Sequence, residues 1–204
     1  MKWVRQLYDW VLHWAETPFG PAALFALAFA EASFFPVPPD ILLIALALGL
    51  RRRALWFAAL TSIASVSGAI LGYGLGYFVW WDHPGVYSSL ANWFFRVVPG
   101  FTPDGFMQIK SLYDQWNFWI IFTAGFTPIP YKVFTITAGA FDINFLLFML
   151  ASVVSRSARF FLVGGLIWKF GEPIQYFIDR YFNKLAILFT VLLIGGFVII
   201  KLLI

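Results

Sequence analysis

The sequence predicts an all-α membrane protein built as an inverted repeat: two re-entrant helical hairpins, each followed by a transmembrane helix. An N-terminal amphipathic helix and a C-terminal transmembrane helix complete it. Three observations carry that reading. The 204-residue chain is 61% hydrophobic and 12% charged, with a mean hydropathy of +0.82, outside the range of ordinary soluble domains. Two stretches roughly ninety residues apart, 31–49 (EASFFPVPPDILLIALALG) and 125–139 (GFTPIPYKVFTITAG), each set a Pro-x-Pro pair in an apolar segment with a charged residue just after it. Each is followed by an apolar run long enough to span a bilayer.

The prolines fix the hairpins. A proline removes a backbone donor and clashes with the preceding turn, and the residue before it avoids the helical region. Pro36, Pro38 and Pro39 therefore break the first segment, and Pro128 and Pro130 break the second. In hydrocarbon such a break survives only where it is buried in protein or lines a wet cavity. Two broken segments in corresponding halves of a chain point to a transporter's binding site.

In chain order, residues 1–18 place Trp3, Leu7, Trp10, Val11 and Trp14 at helical spacing with charges on the other side, the pattern of a helix lying in the membrane interface. Residues 19–50 carry only Glu31 and Asp40 as charges, and the proline break leaves halves of roughly 12 to 17 residues, each too short to span alone. Residues 54–81 read as a span with Ala64, Gly68, Gly72 and Gly76 on one face, where another backbone can come close. These glycines would serve a homodimer as readily as an internal contact. Ser62, Ser65 and Ser67 add hydroxyls that can bond across a helix pair. Residues 82–113 hold most of the polar material and read as an external loop with a surface helix at 91–98. A second hairpin at 116–141, a span at 143–171 and a last span at 185–204 follow.

Charge sets the topology. The Arg51-Arg52-Arg53 run and the group Lys169, Arg180 and Lys184 mark cytoplasmic loops, while 82–113 carries only Arg96 and Lys110. With the N-terminus inside, the two hairpins enter from opposite faces. Full crossing of 19–50 would move the N-terminus outside, and Lys2 and Arg5 argue against it.

Five ionisable groups fall at membrane depth: Glu31, Asp40, Lys132, Arg156 and Arg159. Each costs about 2.5 to 3.5 kcal/mol at a helix centre on insertion scales. Arg156 and Arg159 are three apart and share a helix face; with Lys132 they make a cationic pocket suited to phosphate or carboxylate. Glu31 and Asp40 are acids of the kind that proton-coupled transporters use. A static ion pairing that holds the hairpins together accounts for the same residues.

Other chemistry is disfavoured. The chain has no cysteine and only two histidines, His13 and His83, which leaves no material for thiolate catalysis or a Cys/His metal site. No serine has a base partner in the sequence, and there is no Asp-rich metal motif, so no catalytic residue, cofactor or metal is expected. The net charge of +4 is topogenic and does not point to nucleic acid.

Taken together, Glu31 with Phe35-Pro36-Val37-Pro38-Pro39-Asp40, the Gly68–Gly72–Gly76 face, residues 125–132 through Ala138-Gly139, and Arg156-Ser157-Ala158-Arg159-Phe160 resemble the DedA family, also called the SNARE-associated or VTT-domain family. The resemblance covers roughly residues 25–171. It implies two opposed re-entrant hairpins and movement of lipids between leaflets, the cargo being a polyprenyl phosphate carrier or a phospholipid. It further implies an acid pair matching Glu31 and Asp40, a basic pair matching Arg156 and Arg159, and proton coupling. The chain departs from many members at Tyr73, where they have Asp, and at 127–132, where they carry an Arg-rich segment. A lipid transporter of the cell's inner membrane is thus the first expectation. A proton-coupled ion or solute transporter and a non-transporting assembly factor are the alternatives.

Overall fold

The computed structural model describes Trp14 and residues 17–35, 37–97, 102–127 and 129–171. The expected interfacial helix, apart from Trp14, Thr17 and Pro18, and the expected span at 185–204 lie outside those residues, as do Pro36 and Pro128. The described chain is mostly helical.

Helix α1 (Gly20–Ser33) opens with Pro21 in its first turn, where a missing N–H costs nothing. It stops at the first break, where the Ser33 hydroxyl donates to the Phe29 carbonyl at 2.9 Å. Helix α2 (Asp40–Gly49) starts at Pro39, with Asp40 in its first turn, so a carboxylate meets the positive end of the helix dipole. Arg51–Arg53 form a 3-10 turn leading into α3 (Ala54–Trp80). A two-stranded hairpin follows, β1 (Trp81–His83) and β2 (Val86–Tyr87), turned by Pro84 and by Gly85 at φ +80. Helix α4 (Ser89–Val97) is capped by Ser88, whose hydroxyl accepts from the Ala91 N–H at 3.1 Å. Helices α5 (Pro103–Phe126), α6 (Tyr131–Ala140) and α7 (Phe145–Phe170) complete the order.

Helix α5 corrects the reading of this region. The first helix of the expected second hairpin begins at Pro103, not near residue 116, so the last third of the expected loop is helix. Thr102 caps it by accepting from the Gly105 N–H at 3.1 Å, with Pro103 next and Asp104 in the first turn. Thr-Pro-Asp is a helix-start sequence; reading Pro103 and Gly105 as breakers hides it.

Helices α3, with its leading 3-10 turn, and α7 are long and apolar enough to cross a membrane; 26 or 27 residues extend about 40 Å. They pack on each other and form the centre. Around them, α1 packs on α3 and α5 on α7, in each case the next long helix in the chain. Of the shorter second helices, α6 packs on α3, whereas α2 lies evenly between α3 and α7.

Small residues make this closeness possible. A Cβ on Gly68 would overlap the Phe29 carbonyl of α1, and one on Gly76 would overlap the Ile136 carbonyl of α6. Gly139 of α6 meets the Tyr73 carbonyl of α3 in the same way, and Gly72 meets Thr135. The glycine face of α3 is therefore spent on internal contacts with both hairpins. A homodimer cannot use it in this fold.

At one end of the bundle Arg51 ties α3 to α7. Its Nε donates to the Trp168 carbonyl at 2.9 Å and its Nη2 to the Lys169 carbonyl at 2.6 Å, satisfying carbonyls that a helix end leaves without partners. Part of the Arg51–Arg53 run thus acts as a helix cap.

Because the overlaps at Gly68 and Gly76 are with main chain, helices must move to admit a methyl group. Gly68→Ala and Gly76→Ala are each expected to cost about 1–3 kcal/mol. Gly165→Ala, where a Cβ meets nothing within 4 Å, is expected to be neutral or stabilising. Thermal unfolding midpoints of the three variants in detergent check this.

Candidate functional site

Two apolar clusters make the interior, and the site lies between them. The first gathers Leu24, Leu43, Phe57, Ala58, Phe160 and Val163 from α1, α2, α3 and α7. The second gathers Ala69, Ile121, Tyr131, Ala138 and Phe148 from α3, α5, α6 and α7. Between them both long helices turn polar near their midpoints: Thr61, Ser62 and Ser65 on α3, and Ser152, Ser155, Arg156 and Arg159 on α7, are all buried.

The two arginines are there because the sequence puts them one turn apart on the inward face of α7. Arg156 is 2% exposed and Arg159 6%. Arg156 Nη2 meets Glu31 Oε2 of α1 at 2.6 Å, its Nε donates to the Ser65 hydroxyl of α3 at 2.7 Å, and its guanidinium lies over the rings of Tyr131 (4.8 Å) and Phe160 (4.6 Å). Arg159 grips Asp40 of α2 with two parallel bonds, Nε to Oδ1 at 3.1 Å and Nη2 to Oδ2 at 2.7 Å. Its Nη1 donates to the Thr127 carbonyl in the second break.

The electrostatics follow from the burial. An unpaired charge here would carry most of its desolvation cost, and a planar guanidinium facing a carboxylate through two bonds is the geometry that offsets it best. Glu31 and Asp40 are 8% and 9% exposed. The four formal charges cancel in pairs, and each pair joins α7 to a different helix of the first hairpin.

Lys132 makes a contact of a different kind from the two arginines. It is half-buried, and its Nζ donates to the Phe34 carbonyl across the two breaks at 3.3 Å. Among the described residues no carboxylate pairs with it. Nearby, the Thr135 hydroxyl donates to the Ala32 carbonyl at 2.8 Å, a second bond from hairpin to hairpin. Of the proline positions, Pro39 and Pro130 directly precede α2 and α6, and Pro38 lies in the first break.

Three contributors escape a reading by residue type. Tyr131 is fully buried against Arg156 and donates to the Ser152 hydroxyl at 2.6 Å. The Thr127 carbonyl is an acceptor only because the chain stops being helical there. Tyr73, singled out as a departure from the acid found in many DedA proteins, donates to the Ile143 carbonyl at 2.6 Å and so ties α3 to the α6–α7 turn. A tyrosine directly after a Pro-x-Pro break was the one available signal for Tyr131.

Arg159 holds its carboxylate through two parallel bonds and Arg156 through one; the same donors are suited to a phosphate, which would have to compete with the carboxylates for them.

No family model matches the chain, and no solved structure matches it. Among curated proteins it is similar to an uncharacterized protein of Haemophilus influenzae, 37% identical over 174 residues and covering 84% of each chain. An uncharacterized protein of Histophilus somni is 38% identical over 166 residues, covering 81% of this chain and 82% of that one. A more distant one, from Methanocaldococcus jannaschii, is 26% identical over 142 residues, 69% of this chain and 79% of that one. At that identity and coverage, the chain belongs to the same family as the Haemophilus influenzae and Histophilus somni proteins.

Proposed function

We propose that this chain is a multi-pass protein of the cell's inner membrane, a transporter of DedA type that moves a phosphate-bearing lipid between leaflets. One observation carries the reading: Arg156 and Arg159, buried near the middle of the membrane-length helix α7, pair with Glu31 at the end of α1 and Asp40 at the start of α2, and Arg159 also reaches the second break. Buried ion pairs often add no net stability over apolar residues of the same size. A membrane protein that keeps two of them at mid-depth has a use for them.

In this reading α1–α2 and α5–α6 are hairpins that enter from opposite faces, the polar first half of α5 standing outside the hydrocarbon. Arg156 and Arg159 exchange their carboxylates for the lipid phosphate. Glu31 and Asp40 take protons when released, and their protonation biases which side is open. Lys132, at the gap between the two breaks, adds a third cation on the approach. The cargo class is a lipid phosphate, either a polyprenyl phosphate or a phospholipid.

The test is headgroup translocation by the purified protein in liposomes, with fluorescent lipids of both classes. Arg156→Ala alone strands Glu31 and is expected to lose about 3–5 kcal/mol of stability. The double variant Arg156→Ala with Glu31→Gln removes both charges, and is expected to stay folded while translocation falls at least tenfold. Translocation at the wild-type rate by that folded double variant would remove the assigned role.

Proton coupling has its own readout. Glu31→Gln keeps an acceptor for Arg156 but cannot ionise. Wild-type translocation is expected to accelerate under an imposed pH gradient, this variant to respond less, and Glu31→Gln with Asp40→Asn to run at a gradient-independent rate.

A further inference from the structure

Beside hairpin one lies a groove of about 570 Å³, within the size range of small-molecule sites. Its floor is an alanine stripe on α1, formed by Ala22, Ala26 and Ala30, with Phe19 and Trp14 at one end and Phe35 at the other. Every lining residue is apolar. Ala22 and Ala26 are exposed, while Leu27 and Leu42 beneath them are buried. Alanine also recurs at Ala23, so this side of α1 is kept free of large side chains along two turns, although exposed phenylalanine and leucine are common elsewhere on the molecule.

The groove and the ion-pair site share the first break. Phe35 and Leu42 close the groove's inner end, and Asp40, held by Arg159, lies between them in the chain. Ala30 lines the groove and its neighbour Glu31 turns inward to Arg156. A slot without charge thus ends beside a buried ionic cluster, which is the complement of a molecule with one apolar tail and one anionic head.

We propose that the groove holds a single acyl or prenyl chain of the lipid whose phosphate exchanges at Arg156 and Arg159. This rests on the lipid reading of the site and adds the binding place for the tail. Inside a bilayer a tail gains nothing from leaving water, so the groove acts by shape and packing. It tethers the tail along α1 while the head crosses at the break.

The probes are a phospholipid with a photoreactive diazirine near the end of one tail and a second with the diazirine in the head, each in phosphatidylethanolamine–phosphatidylglycerol vesicles with the whole protein. The tail probe is expected to label residues 19–35, and Ala26→Trp, which fills the slot from an exposed position, to lower that labelling at least fivefold with an unchanged unfolding midpoint. The head probe is expected to label α1 no differently in the variant. Tail labelling spread evenly over the outer faces of α3 and α7 would overturn the proposal. So would spontaneous disulfide formation between Ala26→Cys and Leu193→Cys, which is clean to test because the chain has no cysteine. Translocation measured in the same vesicles separates the two readings. Tail labelling without headgroup movement keeps the groove and removes transport, whereas headgroup movement unaffected by Ala26→Trp, without groove labelling, keeps transport and removes the groove.

Discussion

Two guanidiniums one turn apart on the buried face of α7 dictate the rest of the structure. A guanidinium stays charged wherever it is put, and burying one unpaired is costly, so Glu31 and Asp40 are brought to them. No continuous helix through residues 31–40 could present both acids as it does, because Asp40 reaches Arg159 from the start of a new helix. The break is thus a requirement of the charge pairing as well as a consequence of the prolines. It also creates acceptors. A helix end leaves carbonyls without partners, and here each break has one filled by a cation of the second half: Thr127 by Arg159 of α7 and Phe34 by Lys132 of α6.

The two halves share a frame but not a charge pattern. Pro38 and Pro130, Asp40 and Lys132, and Gly72 and Gly164 are each separated by 92 residues. At the same spacing Glu31 corresponds to Thr123, Arg156 to Ala64 and Arg159 to Ser67. Backbone features that set shape, prolines at the breaks and small residues at the crossings, are kept in both halves. The two buried ion pairs run between the halves, with both acids from the first and both arginines from the second.

Much of this was open to reading from residue types. Prolines in apolar segments gave the breaks, four-residue spacing of small residues gave the close face of α3, and charges at membrane depth gave the four residues that meet. The register of pairing was not legible, because either acid could satisfy either arginine until the two breaks fix their heights. Nor were the Thr127 and Phe34 carbonyls, since a main-chain acceptor leaves no trace in residue type. Arg51 looked purely topogenic because its partners, the Trp168 and Lys169 carbonyls, lie 117 and 118 residues away. The start of α5 was misplaced for a different reason: Pro103 and Gly105 stop a helix in its interior but are permitted in its first turn.

The pairing also constrains how the proposed transporter would run. Withdrawing Glu31 from Arg156 while both stay charged leaves an uncompensated buried ion, at about 3–5 kcal/mol, which suppresses that state by two to four orders of magnitude. In the proposed transporter a phosphate arriving at Arg156 would replace the carboxylate there, and a proton on Glu31 would neutralise the departing acid. Anion binding and protonation would then be linked, and by reciprocity each would raise the affinity for the other by the same factor. On this argument coupling needs no separate device: it follows from burying a matched acid and base that can part only when each acquires a substitute partner.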